Sequence, residues 1–160
     1  MRVLTIVFAF SLAGSVMAQQ PMDMKAFASS SDVAAMIAKA KAERKPDQPI
    51  FAQPILRFAP YTASLEYRAI VGPASVHEKE AEMFYVVEGG GTLVTGGKLT
   101  KETRTNPENL TGTGIEGGTA HPVAKGDFFV VPEGTAHWFS KVDGVLVLMS
   151  FHVPRPVPGK

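Results

Sequence analysis

Two stretches decide the fold: GPASVHEKEAEMFYVVEG, residues 72–89, and GDFFVVPEGTAH, residues 126–137. In the first, Glu82 opens an apolar run, EMFYVVE, that stops at Gly89, and His77 stands five positions before it. In the second, Asp127–Val131 runs into Pro132, Gly134 offers a tight turn, and His137 begins the next apolar segment. Proline removes a ladder donor and glycine accepts left-handed backbone angles, so each block reads as strand and turn. Imidazole and carboxylate suit Mn, Fe, Co, Ni, Cu or Zn. Two His and one Glu would leave open positions for water or substrate, as a catalytic site requires.

The same pattern continues outward from these blocks. Ile50–Phe58 and Ala63–Val71 are apolar, β-branched stretches split by Ala59-Pro60-Tyr61. Gly89–Gly91 is read as a turn into Thr92–Thr95, and Gly96-Gly97 as another. Thr135–Ser140 and Val145–Val153 close the series. Short strands broken at this rate by Gly and Pro predict a sandwich or barrel. Residues 98–125 are polar, rich in Gly and Thr and weakly periodic, which predicts a long loop acting as a lid, binding loop or insert. Before the strands, Ser31 or Asp32 can cap a helix over 32–44, with Val33, Met36, Ile37 and Ala40 on one stripe and Pro46 ending it. That helix is expected to lie as a flap over a barrel edge.

Alternation places Glu82, Phe84 and Val86 on one inward face, with Met83, Tyr85 and Val87 outward. It also turns His137 and Phe139 inward and Trp138 and Ser140 outward. Of Phe128/Val130 and Phe129/Val131, one pair must line the barrel. Tyr67 and Arg68 are further polar candidates, while Lys79 and Glu80 read as solvated charges.

The two blocks resemble the paired motifs of the cupin superfamily, G-x5-H-x-H-x3,4-E-x6-G and G-x5-P-x-G-x2-H-x3-N. Gly126, Pro132, Gly134 and His137 fall at the second motif's intervals, with Lys141 at its final Asn. In the first motif, Glu82 and Gly89 fit and His77 takes the second His position, but Ser75 stands where the first His belongs. The resemblance covers roughly residues 50–153. It implies an all-β, double-stranded β-helix (jelly-roll) barrel with one short N-terminal helix, and a divalent transition metal (Fe, Mn, Ni, Cu or Zn) held by His77, Glu82 and His137. Three readings of Ser75 stay open. Water fills the gap beside three protein ligands; or His121 or His152 replaces the missing His; or the site takes no metal and the barrel binds an organic ligand. By themselves, His121 reads as a loop residue before Pro122 and His152 as a strand-end residue.

The remaining features bound the function. Residues 1–18, MRVLTIVFAFSLAGSVMA, combine Arg2, an apolar run from Val3 to Leu12, and Val16 and Ala18 at the −3 and −1 positions of a cleavage site. The run is too short to span a bilayer. The expected organisation is therefore a signal peptide (1–18), an arm with the helix (19–48), a barrel (49–153) and a proline-rich tail (154–160), in a periplasmic or secreted protein. The chain has no cysteine, which removes disulfides, thiolate ligands and a cysteine nucleophile together. Its net charge is +1, so no basic field attracts nucleic acid or an anionic membrane. The expected partner is a small-molecule ligand or substrate, and the resemblance implies a homodimer. The first functional expectation is a metal-dependent oxygenase, isomerase or lyase acting on a small organic acid, phenolic or sugar-like molecule. The alternative is a non-catalytic periplasmic small-molecule-binding barrel with a degenerate metal site. Expression in an export-competent host should yield a chain starting at Gln19, and intact mass spectrometry checks this; retention of Met1–Ala18 contradicts it.

Overall fold

The structure is a computed structural model that describes residues 25–155. The expected signal peptide, the first part of the arm and the tail beyond Arg155 lie outside the described residues.

One helix, α1 (Ser30–Glu43), precedes the strands. It begins before the predicted Asp32 because Ser29 is the cap: its side chain accepts from the Asp32 N–H, and the Asp32 carboxylate accepts from the Ser29 N–H. Both groups satisfy orphan donors of the first turn. Val33, Met36 and Ile37 pack on Ile55, Leu65 and Val147, so the helix covers the outer face of the sheet.

Eleven strands follow among the described residues: β1 (Ile50–Phe58), β2 (Tyr61–Arg68), β3 (Ala74–His77), β4 (Glu80–Thr95), β5 (Lys98–Thr100), β6 (Thr103–Asn106), β7 (Asn109–Gly112), β8 (Gly114–Glu116), β9 (Thr119–Ala124), β10 (Phe128–Val131) and β11 (His137–Pro154). The main sheet runs β1-β2-β11-β3-β7-β6, with β4 pairing β9, β10 and β11, and β5-β8 forms a small separate ribbon. All pairings are antiparallel, and the sheets close as a jelly-roll barrel.

Three expectations are corrected here. Gly89–Gly91 do not turn the chain; they lie inside the continuous β4. A Cβ on Gly89 would stand 1.8 Å from the Val145 carbonyl oxygen, and one on Gly91 2.2 Å from that of Lys141. Glycine is needed there because β11 passes so closely, and because Gly89 has φ +78°. Likewise 135–140 and 145–153 are parts of one strand, β11, bent by register shifts between Phe139 and Lys141 and between Val142 and Leu146. Such bulges let one strand turn a barrel corner. Finally, residues 98–125 are no loop but the five strands β5–β9. These are three to six residues long; β6 is exposed throughout and β9 nearly so, while β5, β7 and β8 are mostly half-buried. With so little buried on either face, they carry no alternation to read.

The barrel interior is filled by Phe84, Val86, Leu93, Val123, Val131, Phe139, Leu146 and Leu148, with Phe129 packed against them. This settles the face of β10: Val131 is buried and Phe129 packs on the core, while Phe128 and Val130 are exposed. Phe84 stacks on Phe129 and meets Phe139 edge-on, at ring-centre distances of 5.2 and 5.5 Å. Arg68 is also buried, its guanidinium 4.6 Å over the Phe139 ring and bonded to Glu66 at 2.6 and 2.9 Å. Tyr67, its neighbour in sequence, packs in the opposite, helix-side cluster. Replacing Phe84, which is fully buried, by Ala should lower unfolding stability by roughly 3–5 kcal/mol, measured by urea denaturation. A loss below about 1 kcal/mol would mean that the aromatic cluster is not the core's centre.

Candidate metal centre

The barrel's two long strands and β3 bring the candidate side chains together. His77 ends β3, Glu82 lies near the start of β4, and His137 opens β11. Glu82 and Phe84 share the inward face of β4, so the carboxylate sits just beyond the aromatic core. His152, near the far end of β11, is the cross-strand partner of Glu82. The strand therefore delivers two imidazoles to one carboxylate, one from each of its ends.

Glu82 is the hub. His77 Nε2 stands 3.2 Å and His137 Nε2 3.1 Å from its Oε2. Its other oxygen, Oε1, accepts a 2.5 Å hydrogen bond from the Ser150 hydroxyl and faces His152 Nε2 at 3.4 Å. Oε2 is buried, and no donor among the described residues is aligned on it, despite the two nearby ring nitrogens. The partners behind the rings decide which nitrogen faces it. His77 Nδ1 lies 2.7 Å from the Asn109 amide oxygen, His152 Nδ1 2.6 Å from a Glu80 carboxylate oxygen, and His137 Nδ1 3.4 Å from the Thr135 carbonyl. Each of these oxygens accepts, so each Nδ1 carries a proton and Nε2 is the ring atom left facing Glu82. Three ring nitrogens gathered around one buried carboxylate call for a cation among them, a proton on a ring or a metal ion.

The charges agree with that geometry. Burial raises the Glu82 pKa, but the adjacent rings of His137 and His77, and the charge of His152, outweigh it and hold the carboxyl well below the usual carboxylate range. Burial lowers the His77 pKa, yet the Glu82 carboxylate, Asn109 and Glu80 carry it above the ordinary imidazole value.

The residues present fit a metal. Two ligands at about 2.0–2.2 Å from an ion, roughly at right angles, stand about 3 Å apart, close to the 3.1 and 3.2 Å between Glu82 Oε2 and the two Nε2 atoms. One ligand atom each from His77, Glu82 and His152 lies within 4.8 Å of the others, a group that among the described residues does not include His137, which meets Glu82 Oε2 alone. Nitrogen and carboxylate donors, with each ring held by an acceptor behind it, suit a first-row transition ion. Glu82 and His137 have side chains 4% and 7% exposed, whereas His77 and His152 are 20% and 25% exposed. Solvent thus reaches the cluster past His77 and His152.

Two sequence expectations change. His121 lies on β9 opposite Leu93, exposed and outside the cluster. Glu80 is not a free surface charge, since it holds His152 and stands 3.9 Å from His77 Nδ1. Sequence reasoning weighed His152 only as one replacement for the missing His, because no motif spacing points to it. The available signal was Ser-x-His at 150–152, two like-facing polar side chains in an apolar strand.

Comparison with known proteins agrees with this architecture. The family model described as Cupin matches residues 55–156. No curated protein is significantly similar in sequence. Among solved structures, KdgF from Halomonas sp. superimposes with a TM-score of 0.50 at 18% identity, covering 71% of this chain and 87% of that one. The Fe(II) form of HppE gives 0.51 at 15% identity, covering 89% of this chain and 62% of that one. At such identities these likenesses speak for the fold.

Metal uptake here must displace protons from imidazoles. Because the His77 pKa is raised, the apparent affinity for Zn²⁺ should fall as pH drops, beginning above the ordinary imidazole range. Calorimetry in buffers of different ionisation enthalpy reads the released protons; a pH-independent affinity from pH 5 to 8 would contradict the arrangement.

Proposed function

The chain belongs to the cupin family, and on that premise we propose that it is a metal-dependent enzyme acting on a small organic molecule, with His77, Glu82 and His137 as ligands of a divalent transition ion. The observation that carries this reading is Glu82 Oε2, a buried acceptor with two imidazole nitrogens at 3.1 and 3.2 Å and no aligned donor among the described residues. Fe, Mn, Ni, Cu and Zn all suit this donor set. When bound, the ion would act as a Lewis acid or activate dioxygen or water at positions the protein leaves open.

The chain's own residues do the rest. Asn109, Thr135 and Glu80 fix the rings through their Nδ1 atoms, so the nitrogens need little rearrangement. Ser150 pins one oxygen of Glu82. The packed rings of Phe84, Phe129 and Phe139 close the barrel beneath the cluster and exclude water from that side. A substrate would then approach past His77 and His152, the more exposed rings, and its size is limited by the filled interior. The pattern of residues 1–18 supports work outside the cytoplasm.

Protein purified after growth in metal-rich medium should carry about one equivalent of transition metal, measured by elemental analysis. His77→Ala and His137→Ala should each reduce that to a small fraction. Metal-free wild-type protein would defeat the proposal. A metal-loaded protein that binds small organic acids, phenols or sugars without turning any over would favour the receptor alternative.

A further inference from the structure

Ser75, at the place of the missing motif histidine, is the cross-strand partner of His137, so the proposed ligand set is one imidazole short of the family pattern. We propose that His152, held by Glu80, is the fourth protein ligand, supplied from the end of the barrel's last strand instead of from position 75. This inference rests on the metal reading above and deepens it.

The register carries the argument. His152 pairs with Glu82 on one side and Thr62 on the other, so it sits in the middle of a three-strand segment whose position is fixed on both edges. Ser150, two residues earlier, shares its face and already reaches Glu82 Oε1. His152 Nε2 lies 3.4 Å from that same oxygen, on the carboxylate's other side from His77 and His137, which face Oε2. His77 and His152 are nonetheless neighbours, with ring centres 5.0 Å apart and nearly perpendicular. One nitrogen from each, together with a Glu82 oxygen, fits within 4.8 Å. The coordination sphere is thus completed from a different direction; the Ser75 position need not be refilled.

Glu80 gives His152 a ligand's tautomer. Its oxygen 2.6 Å from Nδ1 keeps the proton there and frees Nε2, and a carboxylate behind an imidazole raises its basicity toward a metal. A purely structural His152 would be an imidazolium donating from both nitrogens, to Glu80 and to Glu82, whereas a ligand gives up its Nε2 proton to the ion. Glu80 and Glu82 together also carry two negative charges, which balance a divalent ion in this half-buried place.

The test uses Co²⁺ added to metal-free protein and read by visible absorption, which reports ligand number and type without any activity. His152→Ala and His152→Gln should each bind Co²⁺ at least tenfold more weakly than wild type and with altered bands, and Glu80→Gln should lose roughly 10–100-fold in affinity. His121→Ala, outside the cluster, should match wild type. Circular dichroism melts establish folding, and the glutamine variant, close to histidine in size, keeps the test valid should the alanine variant unfold. If folded His152→Gln retains wild-type affinity and bands while His137→Ala loses them, His152 is no ligand and the metal reading stands. If wild type takes up no Co²⁺, both fall.

Discussion

Removing an ionised carboxylate from water costs several kcal/mol unless cations or donors surround it, and Glu82 imposes that requirement on the whole barrel. Its side chain is 4% exposed, one oxygen is held by Ser150, and three imidazoles stand within 3.4 Å of the group. The neighbours come from β3 and from both ends of β11. Apart from Ser150 with His152, and the five-residue step from His77 to Glu82, these positions are far apart in sequence. The pairing of β4 with β11 along nearly its whole length is what makes them meet.

That pairing in turn depends on features that have no polar chemistry. Gly89 and Gly91 allow β11 to pass where any side chain would collide with its carbonyls. The register shifts in β11 bend it so that His137 and His152 reach the same side of the barrel. The Phe84, Phe129 and Phe139 cluster fixes the inward face and so the direction in which Glu82 points. The site and the core are one alternation pattern, apolar below and polar above.

The outer ring of acceptors gives the inner groups their meaning. Asn109, Thr135 and Glu80 lie on or beside β7, the turn before β11 and the start of β4. Asn109 belongs to the stretch whose polarity suggested a loop. Its strand, β7, pairs with β3 residue by residue, so the apparent insert is part of the barrel wall and holds one of the rings.

Sequence by itself determined the barrel class, the short helix, and the inward set Glu82, Phe84, Val86, His137 and Phe139, because a period of two and the Gly and Pro marks are local properties that neighbouring residues share. It also named His77, Glu82 and His137 as candidates, through the spacing that resembles the family's two motifs. It could not show that Gly89–Gly91 extend a strand, because the carbonyls they accommodate belong to a segment about fifty residues away in the chain. Nor could it recover β5–β9, whose short exposed strands are stabilised by partners and not by their own pattern. His152 and Glu80 were decided by tertiary structure alone. A ligand's place in space depends on cross-strand register, and no motif encodes the register between residues 70 positions apart.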